Sequence, residues 1–530
     1  MSSLRRAWRQ LARATGLALC MALVACGQRE EAAPASPATG QQATFSVLAG
    51  SEIKDIEPAL LKAAADANVR LQLSYAGTLD IVERINAGEQ FDAILPPNGA
   101  YPALALAAKP LAREKLFYSR VALGVKTANA AALGWDRQAP TWTDIAKAAG
   151  AGSLRYAMTN PTSSNTGMSA LFAVASAVAG KTEDLDIAEV NTQVLTAFLS
   201  GQKLTAGSSG WLAEAFLKDP SALDGMVNYE AVILRTNEKL AAVDRLALVY
   251  PKDGVISADY PLMLLRPEQR GAYDRLVAAL KAPALQRQLA ADAFLRPTAP
   301  DIALPASLPS DAVAELSFPN RLEVIDAVLS AYQGEWRRPA TSIFVLDTSG
   351  SMQGPRIDAM REALKVLAGG QASTASARYA RFQSRERVVL LSFSDTVGDP
   401  VRVNFERASL AGSQAQVTAY ADALSASGGT GIYAALLQAQ ALAAKERASD
   451  PERYVSIVLL TDGVNTDGPN LDAFRNRMAG SGKATRVFPI LFGEASNADM
   501  GALAQLTGGR VFDGRKAALA LVFKEIRGYQ

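Results

Sequence analysis

The chain has 530 residues, 49% of them hydrophobic, and it is close to charge balance, with 54 Lys and Arg against 52 Asp and Glu and a formal net charge of +2. It contains no histidine, and its only cysteines are Cys20 and Cys26. In the body of the protein this excludes a Ser-His-Asp triad, an imidazole-held zinc, a thiol nucleophile and a structural disulfide, so any metal there must be bound by oxygen.

At the start of the chain, Arg5, Arg6, Arg9 and Arg13 precede a short apolar stretch from Gly16 to Ala25, the pattern of a secretory leader over residues 1–25. About ten apolar residues are too few for a membrane-spanning helix, which needs roughly 20. The ending Leu23-Val24-Ala25-Cys26 resembles a bacterial lipobox. That resemblance implies a lipid on Cys26 and a tether to a membrane of the bacterial cell envelope, facing the periplasm or the exterior; an ordinary signal cleaved nearby is the alternative. Residues 26–43, rich in Pro, Ala and Gln, suit a flexible tether. The leader carries arginines and no acid, so without it the chain stays balanced. With no basic block and no interleaving of basic and aromatic residues, a nucleic-acid partner is not expected.

From 44 to 337 the sequence alternates strands and helices. Thr44 to Ala49 reads as a strand, Ile56 to Ala65 as a helix, Leu71 to Tyr75 as a strand, Ile81 to Ala87 as a helix and Ala93 to Leu95 as a short strand ending in Pro96-Pro97-Asn98-Gly99. Such a loop belongs at the carboxyl end of a sheet, where ligands gather. The pattern resembles a type II periplasmic solute-binding protein, two α/β lobes joined by two crossing strands with a ligand between them. On that resemblance lobe one covers about 44–115 and 256–337 and lobe two about 120–250, with crossings near Leu116 to Lys126 and Leu246 to Leu265. Loops that fit the ligand cleft supply Ser51, Asn98, Ser163, Ser164, Asn165, Thr166, Ser209 and Tyr260. Helix N-termini beside them would offer unpaired N–H groups to a small polar solute. For any one Ser or Thr, a plain helix cap is the competing reading.

Pro297 to Pro309 reads as a loop, and Leu322 to Trp336 as an amphipathic helix that either completes the binding fold or docks the next domain. In the C-terminal part, apolar Ser342 to Leu346 runs into Asp347-Thr348-Ser349-Gly350-Ser351. A carboxylate and two hydroxyls alternate just past a buried strand, which suits a hard divalent cation. Further on come Thr430 in a Gly-rich turn and Asp462 after the apolar run Tyr454 to Leu460. The ordered triple resembles the von Willebrand factor A domain over residues 338–530. In that family these positions form a metal-ion-dependent adhesion site, so the resemblance implies that Asp347, Ser349, Ser351, Thr430 and Asp462 hold Mg2+ (or Mn2+ or Ca2+). An acidic side chain of a partner protein would complete the ion's coordination. A doubly wound, Rossmann-like sheet is expected, with strands at Ser342 to Leu346, Val388 to Phe393, Tyr454 to Leu460, Arg486 to Phe492 and Arg510 to Phe512. Arg515 to Ile526 reads as a closing helix, and the arginine-bearing stretch Ala377 to Arg387 as a solvated face.

The fold class is therefore α/β, a two-lobed solute-binding fold followed by a doubly wound A domain. Three function classes compete. One is a membrane-tethered binding protein that captures a protein partner through Mg2+ and binds a solute in its N-terminal half. Another is the substrate-binding receptor of an ABC-type transporter with an accessory metal domain. An enzyme is the third, and the residues speak against it. Ser349 stands where metal-assisted phosphoryl transfer would need a second acid. Gly180-Lys181-Thr182 lacks the first glycine of a phosphate loop, because Ala175 occupies that position.

Overall fold

The computed structural model describes residues 43–370, 374–480, 484–515 and 519–529. The expected leader, Cys26 and the expected tether up to residue 42 lie outside the described residues. Among the described residues the strands form three sheets, and helices flank each.

The first sheet runs in the order Val69–Tyr75, Ala43–Ala49, Ala93–Leu95, Pro261–Leu264, Ala112–Lys115. Its first three strands are parallel, and Pro261–Leu264 inserts antiparallel between Ala93–Leu95 and Ala112–Lys115. The second sheet is built around the long strand Phe117–Lys126. That strand pairs successively with Arg296–Pro297, Ser257–Ala258, Gly225–Tyr229 and Leu246–Val249, and Tyr156–Thr159 and Gln202–Ala206 extend the sheet. The chain passes between the sheets at 115–117 and returns at 258–261. At the foot of the crossing Arg296 and Glu230 form a buried bidentate pair at 2.7 and 2.9 Å. Breaking one partner of such a pair strands a charge in the interior and is strongly destabilising.

The third sheet has the order Val401–Phe405, Glu386–Phe393, Ala340–Asp347, Tyr454–Thr461, Val487–Leu491, Phe512–Asp513. All pairings are parallel except that of Val401–Phe405 with Glu386–Phe393. Ala340–Asp347 is buried at every position, as expected of a parallel strand covered on both faces, and this is why it reads as an apolar run. Asp347 and Asp462 then lie at or just past the carboxyl ends of adjacent strands.

The N-terminal and C-terminal halves share one apolar core. Leu204, Trp211 and Phe216 of lobe two belong to the same buried cluster as Phe344, Phe523 and Tyr529 of the A domain. The expected helix at Leu322 to Trp336 is an α-helix over Leu322–Ala331 continued by a π-helical turn, Tyr332–Trp336. It serves both halves: Gln333 donates to the Thr162 hydroxyl at 2.7 Å, and Asp326 accepts from the Tyr379 hydroxyl at 2.8 Å. The stretch Ala377 to Arg387 is not a solvated face. Tyr379, Ala380, Phe382 and Glu386 are buried, because the segment is wedged between the A-domain sheet and the Leu322–Ala331 helix. Glu386 receives both Arg337 and Arg527 there, and burial lowers Arg337 to about 9 and Arg527 to about 10.

Candidate metal centre and lobe seam

The five expected metal ligands come from three loops at the carboxyl edge of the third sheet. Asp347, Ser349, Thr430 and Asp462 are buried, whereas Ser351 is exposed, so the site is a cup with carboxylates at its base and a hydroxyl on its rim. Asp347 accepts from the Ser349 backbone N–H at 2.8 Å and from the Thr461 hydroxyl at 2.6 Å. Ser349 and Ser351 Oγ are 3.0 Å apart, and the Ser351 hydroxyl donates to Asp462 at 2.7 Å. Four of the five thus form one continuous chain of oxygens.

Thr430 reaches the same cup by a different route. Its backbone N–H donates to Thr466 Oγ1 at 2.9 Å and Asp467 Oδ2 at 3.0 Å. The loop before it is stitched to the Asp347 loop by Gly350 N–H to Gly428 O at 3.0 Å and Ser427 N–H to Thr348 O at 2.8 Å. A Cβ at Gly463 would lie 3.7 Å from Ser351 Oγ and 3.8 Å from Thr430 Oγ1. Glycine at that position keeps clear the space between the two hydroxyls.

The donor set fits a hard divalent cation. Every side-chain donor is oxygen, and the two carboxylates sit close enough that Asp347 is pushed up by burial and then by the Asp462 charge, against the bonds it accepts. Like charges held together in a buried cup favour a cation between them. Asp347 and Asp462 are the two carboxylates of this cup, and its other three oxygens are hydroxyls. Thr461, part of the Thr461-Asp462-Gly463 motif in the sequence but given no role there, orients Asp347. Sequence reading missed Arg356, whose guanidinium pairs with Asp462 Oδ2 and lies 3.3 Å from the Ser351 carbonyl oxygen. Arg356 opens the helix Pro355–Ala368, and nothing local marks it as a neighbour of residue 462.

The solute-site candidates divide into two groups. Asn165, Thr166, Ser209 and Tyr260 meet at the seam between the lobes: Asn165 donates to the Tyr229 hydroxyl at 3.0 Å, Thr166 and Ser209 Oγ are 2.6 Å apart, and the Tyr229 and Tyr260 rings are 6.1 Å apart. Beside the two tyrosine rings is a small cavity that Glu52, Phe117 and Arg235 also line. Glu52 is only 9% exposed, and its Oε1 has no hydrogen-bond partner; burial lifts its carboxyl to about 7. Glu52, Tyr229 and Arg235 were not foreseen, although an acid following Ser51 at a strand end is a detectable signal. Ser51, one residue earlier, is half-buried.

The second group lies elsewhere. Asn98 is occupied structurally, donating to Ser257 O at 2.9 Å and accepting from the Ala100 N–H at 2.8 Å. Ser164 precedes the helix Asn165–Ala179, and its side chain makes no cap bond to it. Ser163 faces the C-terminus of the A domain, where a Cβ on Gly528 would lie 2.8 Å from its hydroxyl.

With this geometry in hand, comparison with known proteins is informative. The family model for bacterial extracellular solute-binding protein matches residues 45–295, and the model for von Willebrand factor type A domain matches residues 342–465, a span that includes all five cup residues. The N-terminal region is thus a solute-binding-protein fold and the C-terminal region an A domain. Inter-alpha-trypsin inhibitor heavy chain H4 of Sus scrofa is 38% identical over 133 residues, 24% of this chain. This chain spans only 13% of that relative's length. Among solved structures, the periplasmic binding protein AfuA from Actinobacillus pleuropneumoniae with bound fructose-6-phosphate is 12% identical at a TM-score of 0.43, covering 55% of this chain and 98% of that one. The ferric binding protein from Campylobacter jejuni is 14% identical at 0.43, covering 54% and 98%.

Proposed function

We propose that this protein is an extracytoplasmic binding protein, lipid-tethered through Cys26, whose A domain captures an acidic side chain of a partner protein and whose N-terminal half holds a small polar solute at the lobe seam. The observation that carries the first part is the oxygen chain from Asp347 through Ser349 and Ser351 to Asp462, with the Thr430 hydroxyl beside it. Asp347, Ser349, Ser351, Thr430 and Asp462 would hold Mg2+ or a similar hard cation. Bound there, the ion supplies a positive, exchangeable position that a carboxylate can fill.

The chain's own residues prepare that event. Thr461 fixes the orientation of Asp347, Asp467 and Thr466 hold the Thr430 backbone, and exposed Ser351 leaves the cup open on one side. Titration of Mg2+ into the body from residue 44 onward, for wild type and Asp347→Ala, tests this reading. Saturable heat in wild type and none in the folded variant supports it. Partner capture by the variant in the presence of chelator would sink it.

The solute half is supported by the convergence of Asn165, Thr166, Ser209, Tyr229 and Tyr260 beside Glu52, whose Oε1 has no hydrogen-bond partner. A panel of small polar solutes titrated into wild type and Tyr229→Phe tests it, and heats that are equal and unsaturable for both would count against it.

A further inference from the structure

In the structure, the segment that ends the A domain is seated across the mouth of the solute-binding half. The helix Leu519–Arg527 carries Lys524, whose ammonium lies 2.5 Å from Asp80 and 3.4 Å from Glu83, both on the lobe-one helix Thr78–Asn86. Glu83 also accepts from the backbone N–H of Ser376 at 2.7 Å and from its hydroxyl. Three donors of the A domain therefore fix one face of lobe one.

The same segment reaches lobe two within a few residues. Asn160 donates to the Arg527 carbonyl oxygen at 3.5 Å, and Gly528 lies against Ser163. Tyr529, only 1% exposed, sets its ring edge-on to Trp211 with centroids 4.7 Å apart. A Cβ added to Gly207 would meet that ring at 2.5 Å. Asn160, Ser163, Gly207 and Trp211 all sit in the loops and first helical turns at the carboxyl ends of lobe-two strands, the places where the fold presents its cleft.

Between the two anchor points the lobes touch directly: a Cβ on Gly77, the residue before the lobe-one helix, would run into the Ser163 carbonyl oxygen. Separating the lobes about their crossing strands would carry Asp80 and Glu83 away from Asn160, Ser163 and Trp211. One rigid segment is bonded to both sets. Opening must then break either the Lys524 and Ser376 contacts or the seat of Tyr529.

We propose that the end of the A domain, Lys524 to Tyr529 with Ser376 beside it, is an internal clasp that holds the two lobes closed, so that exchange at the seam requires its release. The link to exchange rests on the solute-binding reading above; the clasp itself does not. A domain docked merely for stability would contact one lobe and leave the other free to swing. This one spans both, and it does so at the closing edge.

Lobe separation can be measured without any solute. The body has no cysteine, so spin labels on exposed Lys62→Cys in lobe one and Ser153→Cys in lobe two report it by pulsed dipolar spectroscopy. Wild type should give a single short-distance population. Lys524→Glu should add a longer one, and combining it with Asp80→Lys and Glu83→Lys should restore the short one. A Lys524→Glu distribution identical to wild type would overturn the clasp, whatever its melting temperature. Should that variant not fold, Gly207→Ala carries the same two outcomes, because the three nearest atoms to its added methyl would all belong to the Tyr529 ring. Since no solute enters the measurement, its failure is distinct from failure of the solute titration.

Discussion

The candidate metal cup and the lobe seam are both polar sites at the carboxyl ends of parallel strands, yet they satisfy their buried groups in opposite ways. In the cup each oxygen is handed to the next: Thr461 to Asp347, and Ser349 through Ser351 to Asp462. At the seam the hydroxyls and amides are paired, but the Glu52 carboxylate is left with an orphan oxygen. A buried polar group without a partner costs folding free energy. The cup is therefore organised before anything binds, whereas the seam retains a group whose charged form is destabilised until something neutralises it.

Substitutions at each site sharpen that contrast. The largest effect is expected from Ser349→Ala combined with Ser351→Ala, which removes two of the five oxygens and should weaken Mg2+ binding more than about 100-fold, the upper end of what losing supporting groups alone does. Calorimetry on the double variant checks it, and wild-type affinity would show that the hydroxyls do not ligate.

Glu52→Gln is next, and its effect should depend on pH. The carboxyl is lifted by burial from 4.5 to about 7, so below about pH 4.5 it is neutral in folded and unfolded chains alike. As pH rises from there to about 7 the unfolded chain loses its proton first, so stability falls; above that the penalty is constant. The variant should thus be more stable than wild type by about 3 kcal/mol at pH 8 and nearly equal to it near pH 4, by the conversion of pKa shift to free energy. Urea melts at the two pH values decide the matter, and a pH-independent difference would contradict an unpaired buried acid.

Thr461→Val probes the support of the cup without removing a ligand. Losing the bond to Asp347 should reduce Mg2+ affinity about tenfold, read in the same titration. The smallest effect should come from Arg356→Ala. Its guanidinium is 35% exposed and pairs with Asp462, competing with any cation there, so the variant should bind Mg2+ a few-fold more tightly, in line with about 0.5–1 kcal/mol for a partly exposed pair. Weaker binding would mean that Arg356 holds Asp462 in place for the metal.

Much of the A domain was legible because its signals are local. A buried parallel strand is an uninterrupted apolar run, and Asp347-x-Ser349-x-Ser351 follows one within five residues. The edge strand Val401–Phe405 and the helix Leu410–Ala423 were not foreseen. Val401–Phe405 buries only Val403 and Phe405 and carries Arg402 and Asn404, a signal too brief for periodicity to mark. Leu410–Ala423 holds Gly412, Ser413 and Thr418, weak helix formers that packing overrides. Ala377 to Arg387 was misread because its arginines look solvated in sequence, while the neighbouring Tyr379, Phe382 and Glu386 are what the fold buries. At the seam, Asn165, Thr166, Ser209 and Tyr260 came from loop chemistry alone, but their meeting point on Tyr229 and Glu52 did not.

By itself the sequence determined the alternation of strands and helices and the oxygen-only character of any metal site, since each follows from composition or from a pattern a few residues long; the two crossings and the full set of cup residues it offered through resemblance to known families. Tertiary structure alone decided that Arg356 faces Asp462, that one Glu52 oxygen is left without a hydrogen bond at the seam, and that Lys524 and Tyr529 span both halves of the N-terminal fold. These are contacts between segments up to hundreds of residues apart. They depend on how finished surfaces fit together, and no local propensity encodes that fit.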